Sequence, residues 1–335
     1  MSDAVAAALS DAMDADDRVV VLGEDVARAE GVFKTTVGLL DRHGPDRVRD
    51  TPISEMGFLG AAVGAAVAGL RPVVEIMFAE FLGVALDQLV TEAAKMRYLS
   101  DGALATPLVV RGSAGPGLGF GCQHSQTMEH WLVGTPGLRV VMPSGAASAY
   151  RLLRAAILDD NPVVVLEPRA LYSRREEVER TADHTDLMTA RVVRPGGAAT
   201  VFAAGQMVAV AMAAADRLAP RYDLAVVDVA SLYPLDVATI GAQTAATGRV
   251  AVVDDSPGGS AWGANLTSYV AQRHFSTLRA PVLRVSAPPA PVPFAASLEQ
   301  RYVPSPDYLA AQLSHWLEKG EMPAPWWEEY TGDIV

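Results

Sequence analysis

The sequence has little cysteine and no stretch of basic residues. Its 335 residues include a single cysteine, Cys122. One cysteine excludes an internal disulfide framework and is typical of a reducing compartment, so we expect a cytoplasmic protein. The 39 acidic residues outnumber the 27 lysines and arginines, which gives a net charge of -12. Because such a chain repels phosphate backbones, nucleic acid is excluded as an expected partner.

Long apolar spans are also missing. The first residues, Met1–Ala4, lack the basic patch and apolar core of an export signal. The longest apolar stretch is rich in glycine and alanine and ends at Arg71-Pro72, so no membrane span is expected. Half of all residues are nevertheless apolar. A chain of this length and composition is predicted to form two domains with separate cores.

Short β-branched runs alternate with helical segments rich in alanine and leucine. This alternation predicts an α/β fold with two parallel-sheet domains covered by helices. In the first half, strands are predicted at Arg18–Leu22, Val73–Met77, Leu108–Arg111, Arg139–Met142 and Val163–Glu167, and helices at Val84–Tyr98 and Ala146–Leu158. In the second half, strands are predicted at Ala199–Ala203, Leu224–Val229 and Val250–Asp254, and helices at Met207–Ala219, Val237–Ala246, Trp262–His274 and Pro306–Lys319.

A charged segment separates the two halves. Residues Ser173–Asp186 carry many charges and no apolar periodicity, which is typical of a linker. We therefore predict a first domain at 1–175, a linker at 176–195, a second domain at 196–320 and a tail at 321–335. The proline-rich segment Pro281–Pro293 is predicted to be extended, and the acidic tail holds Trp326 and Trp327.

Glu55 is the first candidate functional residue. It stands immediately before the apolar run Gly57–Leu70, which predicts a helix buried on all sides. A carboxylate at the mouth of such a helix is poorly solvated, so Glu55 is predicted to handle a proton. The alternative is that Glu55 only caps or pairs at the helix start, because acidic residues are common in a first turn.

His124 is the second candidate, and it follows a glycine-rich loop. The stretch Arg111–Gly121 has five glycines, which allow a close approach to a ligand. It has neither the lysine of a P-loop nor the glycine spacing of a dinucleotide site, so we reject a nucleotide-binding function. His124 is placed like a general acid or base, or like a cap of the following helix. Glu129 and His130 lack metal-ligand spacing with it, which argues against zinc.

Six motifs occur in a family order and at a family spacing over nearly the whole chain. They are Gly23–Val26, Asp50–Gly57, Glu75–Phe81, Gln123–Gln126, Pro136–Val141 and Asp159–Pro162. Together they resemble the beta subunit of the thiamine-diphosphate-dependent decarboxylating component of 2-oxo acid dehydrogenase complexes. Members of that family act on pyruvate, branched-chain oxo acids or acetoin.

The resemblance implies roles for three side chains. The first domain would be a thiamine-diphosphate pyrimidine-binding domain, and the second a transketolase C-terminal-like domain. Glu55 matches the carboxylate that hydrogen-bonds the aminopyrimidine ring of thiamine diphosphate. Phe81 matches the aromatic residue that stacks on this ring, although its pattern alone predicts core packing. His124 would lie beside the 2-oxo acid and help to orient it during reductive acylation of a lipoyl group.

The resemblance also implies a structural potassium ion, which several relatives hold. The matching positions are the backbone carbonyls near Leu108, Ala156, Ile157 and Asp159, together with the side chain of Asn161. An oxygen-rich set suits a hard cation.

One thiamine-enzyme motif is missing from the chain. A Gly-Asp-Gly followed at a distance by Asn holds Mg²⁺ and the diphosphate in thiamine enzymes, and Ser100-Asp101-Gly102 is only a partial echo of it. The resemblance implies that an alpha subunit supplies this motif in an alpha2-beta2 heterotetramer, with the cofactor at the interface. This chain is then expected to be inactive alone and to serve a lipoyl acyltransferase component.

Two other functions stay open. A two-chain transketolase-like, carboligating or acetoin-cleaving enzyme would keep the fold but use another substrate or acceptor. The segment Gly112–Gly121 lacks the Arg or Lys cluster that sugar phosphates need, which argues against transketolase-type substrates. A catalytically silent scaffold subunit is the third hypothesis, and the presence of Glu55 and His124 argues against it. Where relatives often carry a histidine, this chain has Gly134-Thr135, so the identity of the oxo acid stays open.

Overall fold

A computed structural model describes residues 1–181, 186–259 and 261–329. These residues form two compact units. The first unit comprises Met1–Ala114, Trp131–Leu187 and Leu232–Pro234. The second unit comprises Gly115–His130, Met188–Ser231 and the chain from Leu235 onward. The predicted boundaries at 175, 195 and 320 stay a prediction.

The strands alternate with helices as the sequence predicts. In chain order the strands are β1 (Val19–Gly23), β2 (Val48–Asp50), β3 (Arg71–Phe78), β4 (Val109–Ala114), β5 (Arg139–Val141), β6 (Val163–Pro168), β7 (Arg191–Arg194), β8 (Ala199–Ala203), β9 (Leu224–Asp228), β10 (Ser231–Tyr233), β11 (Val250–Pro257) and β12 (Leu283–Ala287). The predicted strands are confirmed, with ends that differ by at most about three residues, which is the usual uncertainty of such boundaries.

The α-helices cover the same span. They are α1 (Ser2–Ala15), α2 (Leu39–His43), α3 (Glu55–Val67), α4 (Leu82–Leu86), α5 (Met96–Leu99), α6 (Ala146–Leu158), α7 (Met207–Leu218), α8 (Val237–Thr247), α9 (Trp262–Arg273), α10 (Ala296–Tyr302) and α11 (Pro306–Lys319). Among the described residues, no helix has both the length and the apolar character needed to cross a membrane.

Each unit is built on one sheet. The seven-stranded sheet has the order β10-β5-β6-β4-β3-β1-β2, and its core pairs are parallel. The five-stranded sheet has the order β12-β11-β8-β9-β7. Its strands are parallel except β7, which runs antiparallel to β9 at the edge. The predicted α/β class with two parallel-sheet domains is confirmed, with one antiparallel edge strand added.

Two helix predictions need correction. The predicted helix Val84–Tyr98 is broken into α4, a π-helix at Asp87–Ala93 and α5. The sequence did not reveal this break, because a π turn changes the helix geometry and not the residue composition. The helix predicted over Gly57–Leu70 is found as α3, which begins at Glu55 and ends at Val67, but it is not buried on all sides in this chain. Met56, Gly57, Ala61 and Gly64 are exposed, so one face of small and apolar residues is open.

The linker and the tail are described in part. Residues 174–181 and Asp186 form neither helix nor strand, and residues 182–185 lie outside the described residues. The edge strand β7 (Arg191–Arg194) lies within the predicted linker 176–195, so that part of the segment is not a linker. Trp326 and Trp327 belong to a short 3-10 helix at Trp326–Glu329. Residues 330–335 of the predicted tail also lie outside the described residues.

A buried ion network joins the three central strands β3, β4 and β6. Arg111 donates to both carboxylate oxygens of Glu167, at 2.7 and 2.6 Å, and also to Glu75. All three side chains are at most 3% exposed. Burial alone would lower the pKa of Arg111, but the charges of Glu167 and Glu75 raise it above its usual value. The network therefore holds one cation and two anions inside the first unit.

Candidate active site

The first unit has a topological switch point at the carboxyl ends of β1 and β3. The chain leaves β1 for β2 on one side and returns to β3 on the other side. In α/β sheets, ligands bind in the crevice at such a point, because helix starts and loops meet there. Glu24 follows β1, Glu55 begins the helix after β2, and Phe81 follows β3. The fold thus brings these three residues to one edge of the sheet.

Glu55 is the first residue of α3 and is only 8% exposed. Within the described part of the chain, no hydrogen bond or ion pair reaches its carboxylate, and the helix start has no side-chain cap. The alternative that Glu55 serves to cap or pair the helix is therefore not supported. Its carboxylate is therefore open to a hydrogen bond from a bound ligand. Its catalytic role stays a prediction.

Glu24 is a site residue that the sequence analysis did not single out. Its burial and the neighbouring carboxylate of Glu55 raise the pKa of Glu24. Its buried Oε1 atom has no hydrogen-bond partner among the described residues. The sequence feature that could have identified Glu24 is its position directly after a predicted buried strand, where ligands bind in parallel sheets. The two carboxylates together make this edge strongly acceptor-rich.

Phe81 ends a 3-10 helix, Ala79–Phe81, that directly follows β3. Its ring lies 5.9 Å from the ring of Phe78 in an edge-to-face arrangement, with 74° between the ring planes. The ring of Phe78 also packs edge-to-face against the ring of Phe33, with 5.6 Å between the ring centroids. Phe81 is half-buried, so part of its surface is available to a flat ligand. Core packing and ligand stacking are both compatible with this position.

His124 belongs to the second unit and lies in the loop between Gly115 and His130. Its side chain is half-buried, and its backbone N–H donates to the carbonyl of Gly121 at 3.3 Å. The expected helix entrance at His124 is wrong, because the next helical turn is the 3-10 helix Glu129–Trp131. His124 therefore lies within a loop and does not cap a helix.

Four of the predicted potassium residues lie where α6 leads into β6, and Leu108 directly precedes β4. The four backbone carbonyls of the set accept hydrogen bonds within the chain. The Arg71 guanidinium donates to the carbonyls of Ile157 and Asp159 at 2.9 and 3.1 Å. The carbonyls of Leu108 and Ala156 accept the backbone N–H groups of Val163 and Asp159. Asn161 donates to the Asp159 carboxylate, which also pairs with Arg139 at 2.5 Å. Because a carbonyl oxygen has two lone pairs, one hydrogen bond to each of these oxygens does not exclude a cation. The potassium site stays a prediction.

Glu129 is the most strongly perturbed carboxyl group of the second unit. It is fully buried, and the Ser256 hydroxyl donates to its Oε1 atom. Its Oε2 atom has no hydrogen-bond partner among the described residues. Burial raises the pKa of Glu129 from 4.5 to about 8. The folded chain therefore keeps this side chain protonated at neutral pH.

This proton makes stability depend on pH in a defined direction. Between pH 4.5 and about 8 the folded chain binds one proton that the unfolded chain lacks. The free energy of unfolding should therefore fall as pH rises through this range, by about 1.36 kcal/mol per pH unit from this group. In Glu129→Gln this contribution should vanish, as measured by urea denaturation at several pH values. Glu321→Gln, at an exposed site, is the control and should keep the wild-type slope.

Comparison with known proteins agrees with this architecture. Residues 1–175 match the family model of the transketolase pyrimidine binding domain, and residues 188–309 match the transketolase C-terminal domain. A solved structure described as a split gene transketolase, inactive beta4 tetramer, has a TM-score of 0.76 at 22% identity. The similarity covers 95% of this chain and 98% of that chain. The fold is therefore that of a transketolase-like protein.

Curated relatives narrow the class further. The chain is 41% identical to the pyruvate dehydrogenase E1 component subunit beta-2, mitochondrial, of Oryza sativa subsp. japonica, over 91% of this chain and 82% of that protein. It is 40% identical to the 2-oxoisovalerate dehydrogenase subunit beta of Pseudomonas aeruginosa, over 95% of each chain. It is 38% identical to the acetoin:2,6-dichlorophenolindophenol oxidoreductase subunit beta of Bacillus subtilis, over 93% of this chain and 95% of that protein.

Two domains in this order define a thiamine-dependent enzyme of the transketolase type. The chain belongs to the family of beta subunits of 2-oxo acid dehydrogenase E1 components. The resemblance seen in the six motifs is confirmed, as is the enzyme class.

Proposed function

We propose that this chain is the beta half of an enzyme that decarboxylates pyruvate or a branched-chain 2-oxo acid and transfers the acyl group to a lipoyl group. The observation that carries the proposal is Glu55, a buried carboxylate without a partner among the described residues, at the switch point of the first sheet. The relative of this chain from Oryza sativa is named as a beta subunit of a pyruvate dehydrogenase E1 component, and the relative from Pseudomonas aeruginosa as a beta subunit of a 2-oxoisovalerate dehydrogenase.

The residues at this edge fit the pyrimidine half of thiamine diphosphate. Glu55 offers an acceptor in a poorly solvated place, and Phe81 offers part of a flat apolar ring. When bound, thiamine diphosphate supplies the carbon nucleophile that attacks the oxo group and accepts the electrons of decarboxylation.

Three side chains would then have separate tasks. Glu55 would share a proton with the ring nitrogen of the pyrimidine through one hydrogen bond and so hold the proton that must move for the cofactor to be activated. Phe81 covers one face of the ring and excludes water from it. His124 would donate a hydrogen bond to the 2-oxo acid and orient it.

A second chain must hold the rest of the cofactor. Because the Gly-Asp-Gly motif with its downstream Asn is missing, we propose that an alpha subunit binds the diphosphate and Mg²⁺ in an alpha2-beta2 heterotetramer. The exposed face of α3, formed by Met56, Gly57, Ala61 and Gly64, starts next to Glu55 and suits close helix packing at such an interface. A lipoyl acyltransferase would accept the product.

The compartment follows from the composition. We propose a reducing compartment such as the cytoplasm, supported by the single free cysteine, Cys122, which is exposed. An exposed thiol of this kind would be open to oxidation in a secreted protein.

Reconstitution with an alpha chain tests the proposed function. We expect CO₂ release from pyruvate or branched-chain 2-oxo acids only when this chain and an alpha chain are mixed, with acyl transfer to a lipoyl domain. Each chain alone, with thiamine diphosphate and Mg²⁺, is the matched control. An active mixture that transfers no acyl group to a lipoyl domain would contradict the proposed acceptor, and an inactive mixture would contradict the proposed reaction.

Acetoin cleavage is a second candidate, favoured by the relative from Bacillus subtilis. The same mixture can be assayed with acetoin and dichlorophenolindophenol as the electron acceptor. A higher kcat/KM for acetoin than for every 2-oxo acid tested would favour this candidate over decarboxylation.

A further inference from the structure

The loop that carries His124 is closed at its base. This segment, Gly115–His130, is called the His loop here. The Gly115 N–H donates to the carbonyl of Gln126 at 2.8 Å, so the start of the His loop meets a residue near its end. A loop with this many glycines has a high conformational entropy unless something else fixes it. His124 can keep a defined position only if the glycine-rich part is restrained.

A buried carboxylate supplies that restraint. Glu299 accepts the Gly117 N–H at 2.9 Å with Oε1 and the Gly119 N–H at 3.0 Å with Oε2. Gly119 has a φ of 73°, a left-handed conformation that turns neighbouring N–H groups toward one side. Successive N–H groups of this kind form an anion-binding nest. Here the anion is a side chain of the chain itself, so the glycine-rich segment is not an empty phosphate cradle.

Glu299 rests on a fixed support. It is 7% exposed and belongs to α10, where the buried Tyr302 donates its hydroxyl to the carbonyl of Ala290 at 2.9 Å. Phe294 lies against the backbone of Gly121, since a Cβ atom at Gly121 would come within 3.1 Å of its ring. The hydrogen bond of the buried Tyr302 holds α10 against the preceding segment, while Phe294 is exposed and only its contact face meets Gly121. The carboxylate is therefore a preorganised acceptor and not a mobile surface group.

The far end of the His loop has its own anchor. Glu129 and Ser256 form a buried hydrogen bond there, as described above. His124 lies between this anchor and the Glu299 contact in the sequence. The loop is thus tied to the second unit on both sides of the histidine.

We propose that Glu299 is a positioning residue, whose carboxylate fixes the glycine-rich part of the His loop and so holds His124 in place for the reaction. This inference rests on the proposed function, in which His124 orients the 2-oxo acid. Glu299 itself touches neither substrate nor cofactor. It acts only through the backbone of Gly117 and Gly119.

Hydrogen exchange in the full chain tests the restraint without any assay of activity. Glu299→Gln keeps the shape but presents an NH₂ donor where one N–H needs an acceptor. Exchange of the His loop amides should become faster on the order of tenfold, because charge-assisted bonds are lost. Glu321→Gln, at an exposed site of the second unit, is the matched control and should exchange like wild type. Unchanged exchange in Glu299→Gln would overturn the proposal.

A double-mutant cycle in the assembled enzyme tests whether the restraint acts through His124. Glu299→Gln should lower kcat on the order of tenfold with wild-type His124 and leave the KM for thiamine diphosphate unchanged. It should cause no further loss in the His124→Ala background. An equal loss in both backgrounds, or faster exchange with a normal kcat, would overturn the positioning role.

Failure of the proposed function would look different. A wild-type assembly that turns over no 2-oxo acid and no acetoin would overturn the function. Faster loop exchange in Glu299→Gln would still support the restraint on the His loop in that case.

Discussion

The Glu55→Gln variant should reduce 2-oxo acid decarboxylation by the assembled enzyme on the order of 100- to 10,000-fold, the usual contribution of a positioned acid or base. Glutamine keeps the size of the side chain and can still form a hydrogen bond, but it cannot take up a proton at neutral pH. The effect should appear mainly in kcat, measured as CO₂ release at saturating thiamine diphosphate. Folding should be little affected, because the carboxylate makes no hydrogen bond within the described chain.

Two comparisons make this result specific. Glu92→Gln, at an exposed position of the first unit, should leave the rate unchanged. Glu55→Ala should be at least as impaired as Glu55→Gln, since it removes both the proton carrier and the acceptor. A normal rate of decarboxylation in Glu55→Ala would contradict the role assigned to Glu55.

Replacing Arg111 by methionine should lower the free energy of unfolding by about 3–5 kcal/mol, the usual cost of breaking a buried ion pair by removing one partner. The loss arises because Glu75 and Glu167 would stay buried without their cation. The remaining donors, from Thr35 to Glu75 and from Tyr172 to Glu167, cannot replace a positive charge. Urea denaturation of the full chain measures the change.

The unfolding free energy of the Arg111→Met variant should also depend on pH in a defined direction. Without the cation, two carboxylates would stay buried with no opposing charge, and a neutral carboxylic acid costs less to bury than a carboxylate. Lowering the pH should then recover part of the lost stability. Arg28→Met, at an exposed position, should change the unfolding free energy by less than about 0.5 kcal/mol. Equal stabilities of the two variants would contradict a structural role for the network.

The elements that the sequence predicted well have strong local signals. Strands such as β6 and β8 are short continuous apolar runs, which is what burial on both faces of a parallel sheet requires. Helix α3 was located from the apolar run that follows Glu55. Strand β10 was missed because three residues carry no periodicity, and it joins the first sheet only through tertiary contact. The π-helix at Asp87–Ala93 was missed for a similar reason, because it changes the geometry and not the composition.

Some residues of the candidate site have a local sequence signal, and others do not. Glu55 was found because its local sequence is unusual, a carboxylate before an apolar helix. Glu24 was missed because its raised pKa comes first from burial and then from the charge of Glu55, and both depend on the folded chain. The glycine-rich segment was expected to approach a ligand, whereas its N–H groups contact Glu299 of the same chain, 182 residues from Gly117. Such pairings depend on the folded chain, and no local pattern contains them.

Binding of thiamine diphosphate tests most directly whether this chain holds half of a shared cofactor site. The cofactor, with Mg²⁺, can be titrated calorimetrically into this chain, into an alpha chain and into their equimolar mixture. We expect saturable binding in the mixture, weaker binding when the mixture contains Glu55→Gln, and no activity from either chain alone. Tight binding of the cofactor by this chain alone, followed by decarboxylation of a 2-oxo acid, would contradict a site divided between two subunits.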